Sequence, residues 1–271
     1  MNIEDQNKIK TLYLEGKTIT EITKIINTHR TVIRKYLIKL NIYDSKRDYG
    51  LNVKYDYNNL DLFHNIDTEE KAYWLGFIFA DGHLDYTGGY SLKIELSKLD
   101  EKHLQKLSNI FNKPIKDSFK KSTNKNYALL CVHSKQLYND LINHGIENNK
   151  TYASITTIFE YIPKNLLVHF IRGYFDGDGH IGYLKTNIRA CYFHLVGIPD
   201  FLTKLRDIME KEIHVAKRSI TVLKNGVVSI LQYNKHDDII SIYNWLYNNS
   251  NVYLDRKKDK FEIIMHELCQ I

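Results

Sequence analysis

Two stretches of this chain carry the same signature, and that repetition limits its fold more than anything else in it. "WLGFIFADGHL" starts at Trp74 and "IRGYFDGDGHI" at Ile171; each has Gly in third place, an aromatic residue in fourth and Asp-Gly-His in eighth to tenth. The acids Asp81 and Asp178 stand 97 residues apart. Each closes an apolar run of helical character, where partial negative charge disfavours a carboxylate by roughly 0.3–1 kcal/mol.

The segments downstream of the two copies are similar too, which marks an internal duplication. After the first, "YSLKIELS" sets Leu92, Ile94 and Leu96 against Lys93 and Glu95, a half-buried strand. "HLQKLSNIF" places Leu104, Leu107, Ile110 and Phe111 on one helical face; "NYALLCVHS" is a further strand and "SKQLYNDLINHGI" a helix opening at Ser134. In the second half "RACYFHLVG" is the matching strand, and "FLTKLRDIM" the matching helix with Leu202, Leu205, Ile208 and Met209. "SITVLKNGVVSILQY" is a hairpin turning at Asn225-Gly226, and "NKHDDIISIYNWL" the closing helix. Each half reads helix, strand pair, helix, strand pair, helix. The fold class is therefore α+β, a pseudo-symmetric pair of halves packed through their first helices.

Asp67 or Thr68, with Glu70 in the first turn, caps the first repeated helix; Pro163 and Asn165 serve the second. Gly76 and Ala80 lie four apart, as do Gly173 and Gly177, a spacing that lets two helix backbones approach closely. Helices crossing there bring Asp81 and Asp178 out side by side. Two neighbouring carboxylates repel each other, and a hard divalent cation with oxygen ligands relieves that. Metals bridging attacking and leaving oxygens cleave phosphodiesters. Alternatively, Asp-Gly is simple turn chemistry, with Gly82 and Gly179 as left-handed caps. That accounts for the glycines but not for an Asp recurring after two small-residue helices.

Residues 1–45 read as three short helices. Ile9, Leu12 and Tyr13 share a face before Gly16; "TITE" from Thr18 is a capping box ahead of Ile22, Ile25 and Ile26. A third helix restarts after Asn27 or Thr28 and turns Val32, Ile33, Tyr36, Leu37 and Leu40 inward. His29, Arg30, Thr31, Arg34 and Lys35 then stand on a polar, basic face, as in a helix-turn-helix that reads DNA; a helical cap with a solvated face is the alternative. Residues 46–62 read as a linker, 63–160 as the first half and 161–271 as the second.

The bulk numbers agree. The chain has 271 residues, net charge +6 and 43% hydrophobic residues, which leans toward a polyanionic partner. Cys131, Cys191 and Cys269 form no C-x-x-C pair and read as reduced, mostly buried thiols of an intracellular protein, cytoplasmic in a bacterial or phage host, or organellar. No apolar run approaches the ~18 residues of a membrane span, and no membrane partner is expected. The start "MNIEDQNKIKTLYLEGK" lacks a signal-peptide profile. Without a splice-junction Cys or Ser at Met1, and ending "HELCQI", the chain reads as an intron-encoded or free-standing gene product, not an intein.

"WLGFIFADG" (Trp74–Gly82) and "IRGYFDGDG" (Ile171–Gly179) resemble the paired motif of LAGLIDADG homing endonucleases in their single-chain form, over residues 63–265. The resemblance implies αββαββα halves forming a saddle over double-stranded DNA, in a monomer with an N-terminal helix-turn-helix. It implies Mg²⁺-dependent hydrolysis of both strands at a long asymmetric site, with Asp81, Asp178, Ala80 and Gly177 at the metals. A Lys late in each half is implied near the active centre: Lys150, and Lys257 or Lys258. His83 and His180 come just after the acids and either touch DNA or a metal-bound water, or are plain surface residues. Strand residues implied to read bases are Lys93, Glu95 and Ser97 in the first half and Arg189, Cys191 and Lys224 in the second. The sixth motif position holds Asp176 in the second copy but Phe79 in the first, and Arg172 stands where a small residue is usual, which predicts a looser helix interface there. A DNA-binding regulator without cleavage and an intron RNA maturase are the alternatives on the same fold.

Overall fold

The computed structural model describes residues 3–44, 56–86, 89–146, 157–223 and 226–269. Lys150 and Lys224 lie outside the described residues. Contacts divide the chain into two compact units, Met1–Asp56 and Tyr57–Ile271.

The first unit has three helices, α1 (Ile3–Leu14), α2 (Ile19–Ile26) and α3 (Arg30–Lys39). Its core is Ile9, Tyr13, Ile19, Ile22, Ile33 and Leu37. Gly16 adopts a φ of +98°, a left-handed turn that suits glycine. The capping box at Thr18 and Glu21 forms as expected. Asn27, in the left-handed conformation, ends α2, and α3 starts after His29, whose Nδ1 accepts from the Thr31 amide. His29 thus caps the helix, while Arg30, Thr31, Arg34 and Lys35 are exposed. One expectation fails: Val32 (43% exposed) faces outward, as does Ile25 (46%). Three short helices enclose only one narrow seam, and Ile22, Ile33 and Leu37 fill it.

In the second unit, residues 57–62, read above as linker, pack against the body: Asn59 Nδ2 donates to the Ile110 carbonyl at 2.8 Å, and Leu62 is buried. The unit contains α4 (Glu69–Asp81), β1 (Gly82–Asp85), β2 (Ser91–Ser97), α5 (Glu101–Ile110), β3 (Lys116–Lys120), β4 (Lys125–His133) and α6 (Lys135–Asn143). A short helix α7 (Ile158–Tyr161) leads to the second copy. That copy is α8 (Leu167–Asp178), β5 (Gly179–Leu184), β6 (Asn187–Gly197), α9 (Pro199–Ile213), β7 (Ile220–Val222), β8 (Ser229–Tyr233) and α10 (His236–Tyr247), with α11 (Asp255–Leu268) after it. The sheets are antiparallel, ordered β1-β2-β4-β3 and β5-β6-β8-β7. The expected duplication is present, with α11 added.

Thr68 caps α4, its Oγ1 accepting from the Lys71 amide at 3.3 Å. The expected caps on α8 are not made: a 3₁₀ turn over Lys164–Leu166 runs straight into it, satisfying backbone groups without a side chain. Residues Ala72 to Phe79 of α4 are all buried, so this helix is central. The helices cover one face of each sheet and leave the other to solvent.

That open face obeys the expected parity in the first sheet only. Leu92, Ile94 and Leu96 point to the core, opposite Lys93, Glu95 and Ser97. In β6 the buried set is Cys191, Phe193 and Leu195, so Cys191 (4% exposed) and Arg189 belong to the core side, not to the open face expected of them. Arg189 Nη1 instead donates to the Glu267 carbonyl. Period-2 spacing selects the more apolar triplet for burial, which leaves Tyr192 and His194 outside. The thiols are free, but only Cys191 is buried; Cys131 is half-buried and Cys269 exposed, because the last two stand at a sheet face and a helix end.

Candidate active site

Helices α4 and α8 meet backbone to backbone. A Cβ at Gly76 would lie 2.0 Å from the Phe170 carbonyl oxygen, and one at Gly173 would lie 2.0 Å from that of Tyr73. Shifting residue numbers by 97 turns the first contact into the second, so a pseudo-twofold axis runs through the seam. One turn further on, a Cβ at Gly177 would be 2.3 Å from Ala80 Cβ and 3.3 Å from Asp81 Oδ2. The Asp81 carboxylate therefore sits against the residue preceding Asp178, and both acids emerge at one end of the helix pair, each open to solvent.

Gly82 and Gly179 are not left-handed caps. Their φ values are −75° and −95°, extended backbone that carries each helix directly into a strand. Glycine is needed there for space: a Cβ would meet the Ile78 carbonyl oxygen at 2.5 Å, or Phe175 Cδ2 at 2.2 Å.

Arg172 does not loosen the interface. It is 1% exposed and reaches across to α4. It donates to Glu69 Oε1 at 2.6 Å and to the Val252 and Leu246 carbonyls at 2.8 and 2.9 Å. Asp176 is a second buried hub, accepting from the Tyr73 hydroxyl and the Leu254 amide, both at 2.7 Å. Burial pushes its carboxyl up to about 6, against the pull of Lys257. Tyr73 also meets His103 Nε2 at 2.9 Å. Its proton goes to Asp176, so the imidazole donates from Nε2 and leaves Nδ1 as an unpartnered acceptor. Burial drives this histidine down to about 3. At the pseudo-symmetric position the seam is aromatic: Phe79 packs on Phe170 with ring centroids 5.8 Å apart.

The two late lysines occupy different places. Lys257 Nζ donates to the carbonyls of Phe175 (2.6 Å), Asp176 (2.7 Å), Gly179 (2.6 Å) and Gly177 (3.3 Å). It closes the C-terminal end of α8, where the Phe175 carbonyl also accepts from the Gly179 amide, and its charge opposes the dipole. Burial lowers its ammonium to about 8, opposed by Asp176, and Asp81 and Asp178 also act on it. Lys258 instead pairs with Glu262 at 3.7 Å and covers the Tyr253 ring.

On the open sheet faces, Lys93 Nζ meets Asp85 Oδ2 at 2.9 Å, and Lys120 pairs with Glu95. His83, exposed and two residues beyond Asp81, lies across from Lys93. His180 pairs across the strands with His194, their near-parallel rings 5.2 Å apart and Tyr192 alongside. Burial, then Lys260 and His194, lower His180 to about 4. Strand parity alone would have found Tyr192 and His194; nothing in the sequence announced the carbonyl contacts of Lys257.

Carboxylates at Asp81 and Asp178 with neighbouring backbone carbonyls form a hard, all-oxygen donor set, which fits Mg²⁺. Among the described residues there is no group of three or more His, Cys, Asp or Glu side chains suited to a metal. No described helix is long and apolar enough to cross a membrane.

The chain has the fold of the LAGLIDADG homing endonucleases. Over 78% of its length it superposes on two solved structures: the homing endonuclease I-WcaI bound to its DNA recognition sequence (TM-score 0.54, 16% identity, 94% of that chain) and the LAGLIDADG homing endonuclease I-LtrWI bound to target DNA (TM-score 0.50, 10% identity, 90% of that chain). No protein-family profile matches the chain. Over 123 residues, 44% of the chain, it is 32% identical to the replication factor C small subunit of Methanocaldococcus jannaschii, and the match spans 6% of that protein.

Proposed function

We propose that the chain is a sequence-specific homing endonuclease that cuts both strands of a long asymmetric DNA site with Mg²⁺, acting as a monomer. The observation that carries this reading is the backbone contact that holds Asp81 and Asp178 together where two helices end. Helix polarity opposes an acid at either place. The fold is shared with proteins whose solved structures contain bound DNA.

Asp81 and Asp178, with the carbonyls of Ala80 and Gly177, would hold the metal; when bound, it supplies charge at the scissile phosphate and an activated water. The chain's own residues position that centre. Gly76 and Gly173 set the separation of the acids, and Lys257 fixes the helix end that carries Asp178. The open sheet faces lie along the DNA, and Arg30, Arg34 and Lys35 of the first unit extend the contacted sequence. Two unlike halves suit an asymmetric target.

The test is cleavage of a duplex library, including the gene's own insertion locus, by the full chain with Mg²⁺. Cleavage abolished by Asp81→Asn and by Asp178→Asn supports the reading. Duplex binding without cleavage, unchanged by Asp81→Asn, would make the protein a non-catalytic regulator.

A further inference from the structure

The two open sheet faces differ in chemistry. On the first, the outward residues include two ion pairs, Lys93 with Asp85 and Lys120 with Glu95, and Lys116 is paired in register with Leu129 nearby. Each pair presents an ammonium donor beside a carboxylate acceptor, held in place because each partner fixes the other. On the second face the outward residues of the paired strands include His180, Tyr192, His194, Val196, Ile230 and Gln232. Among the described residues of those strands the one Lys, Arg, Asp or Glu is Arg189, which lies on the core side. Gly182 makes part of this surface possible, since a Cβ there would meet Tyr192 Cζ at 2.5 Å and His180 Nε2 at 2.9 Å. The Tyr192 ring lies flat across β5 as a result. Thr221, across from Ile230, adds a methyl group, and Gln232 adds an exposed amide.

Base pairs differ in the major groove in a way that matches this division. Guanine offers O6 and N7 to lysine, and cytosine offers its N4 amino group to a carboxylate. Thymine offers a methyl group to apolar and threonine side chains, and adenine pairs with the amide of Gln or Asn. We infer that the two halves of the DNA target differ in composition, the half under the first sheet favouring G·C pairs and the half under the second favouring A·T pairs. Lys120 with Glu95 and Lys93 with Asp85 are the specificity-determining residues of the first; Gln232, Ile230 and Thr221 are those of the second. This rests on the proposal that the open faces contact duplex DNA.

The experiment is a binding selection from a random duplex library by the full chain without added divalent metal. It is repeated with Lys120→Ala and Gln232→Ala, both at exposed positions. The expected result is a site whose two halves differ in G·C content. Lys120→Ala then lowers selectivity about tenfold at a G·C position in one half, and Gln232→Ala about tenfold at an A·T position in the other. A selected site of even composition, or two substitutions acting in the same half, overturns this inference while leaving DNA recognition intact. Binding without sequence preference overturns both it and the proposed function.

Discussion

Gly173→Ala separates two physical effects by their sign. In a helix interior, alanine is better than glycine by about 1 kcal/mol, so intrinsic propensity alone makes the variant more stable. The seam predicts the reverse. The new Cβ would lie 2.0 Å from the Tyr73 carbonyl oxygen and 2.8 Å from the Phe77 nitrogen, whereas ordinary contact begins at 3.4 Å, so the helices must part by about 1.4 Å. Both obstacles are backbone, so no side-chain rotation removes them. Overpacking of this kind costs about 1–3 kcal/mol, and a backbone clash belongs at the upper end. Net of propensity, a loss of about 2 kcal/mol is left, which lowers Tm by roughly 4–8 °C for a unit of this size. Thermal unfolding monitored by circular dichroism measures it, and Mg²⁺-dependent nicking of a bound duplex reports the displaced acids. A variant as stable as the parent, or more so, refutes the close-contact reading of the seam.

Asp81→Asn and Asp178→Asn each abolish double-strand cleavage while leaving duplex affinity within about twofold, checked by gel shift and cutting assays; without metal, their Tm holds or rises slightly as repulsion is removed. Lys257→Met removes the ammonium donor from the carbonyls at the end of α8 and strips a positive charge from beside Asp176, costing about 3 kcal/mol in urea unfolding, while Lys258→Ala costs under about 0.5 kcal/mol. The folded pKa of His103, about 3, lies below its ordinary 6.5. Its contribution is therefore full above pH 6.5 and is lost as pH falls toward 3, with a slope of up to about 1.4 kcal/mol per pH unit. His103→Phe flattens that part of the stability profile, which unfolding at successive pH values reads out.

The duplication, the helix pair and the adjacency of the acids were legible in the sequence because each depends on local spacing: Gly at intervals of four, Asp at a helix end, apolar residues at alternate strand positions. What was not legible depends on distant partners. Arg172 looked like a flaw in the motif, since the groups that receive it, Glu69 and the carbonyls of Leu246 and Val252, lie 103, 74 and 80 residues away. Lys257 was visible as a basic residue near the end of the chain, but its burial against α8 arises only once α11 packs on the second sheet. The error at Arg189 and Cys191 has another origin. Both residues fit an outward face if "RACYFHLVG" is read from its first polar residue, whereas the apolar triplet ending at Leu195 sets the parity.

The seam between α4 and α8 also records a history. Two identical copies would have matched equally well in any pairing, yet a shift of 97 now aligns Glu69 with Leu166, Tyr73 with Phe170, Leu75 with Arg172 and Phe79 with Asp176. One flank of the axis has become ionic and the other aromatic. A second half paired with its own likeness would leave the Arg172 guanidinium without a carboxylate, and a first half paired likewise would strand the carboxylate of Glu69. Each half thus carries a charge whose partner is in the other, and a chimera built from either copy alone must supply the missing charge.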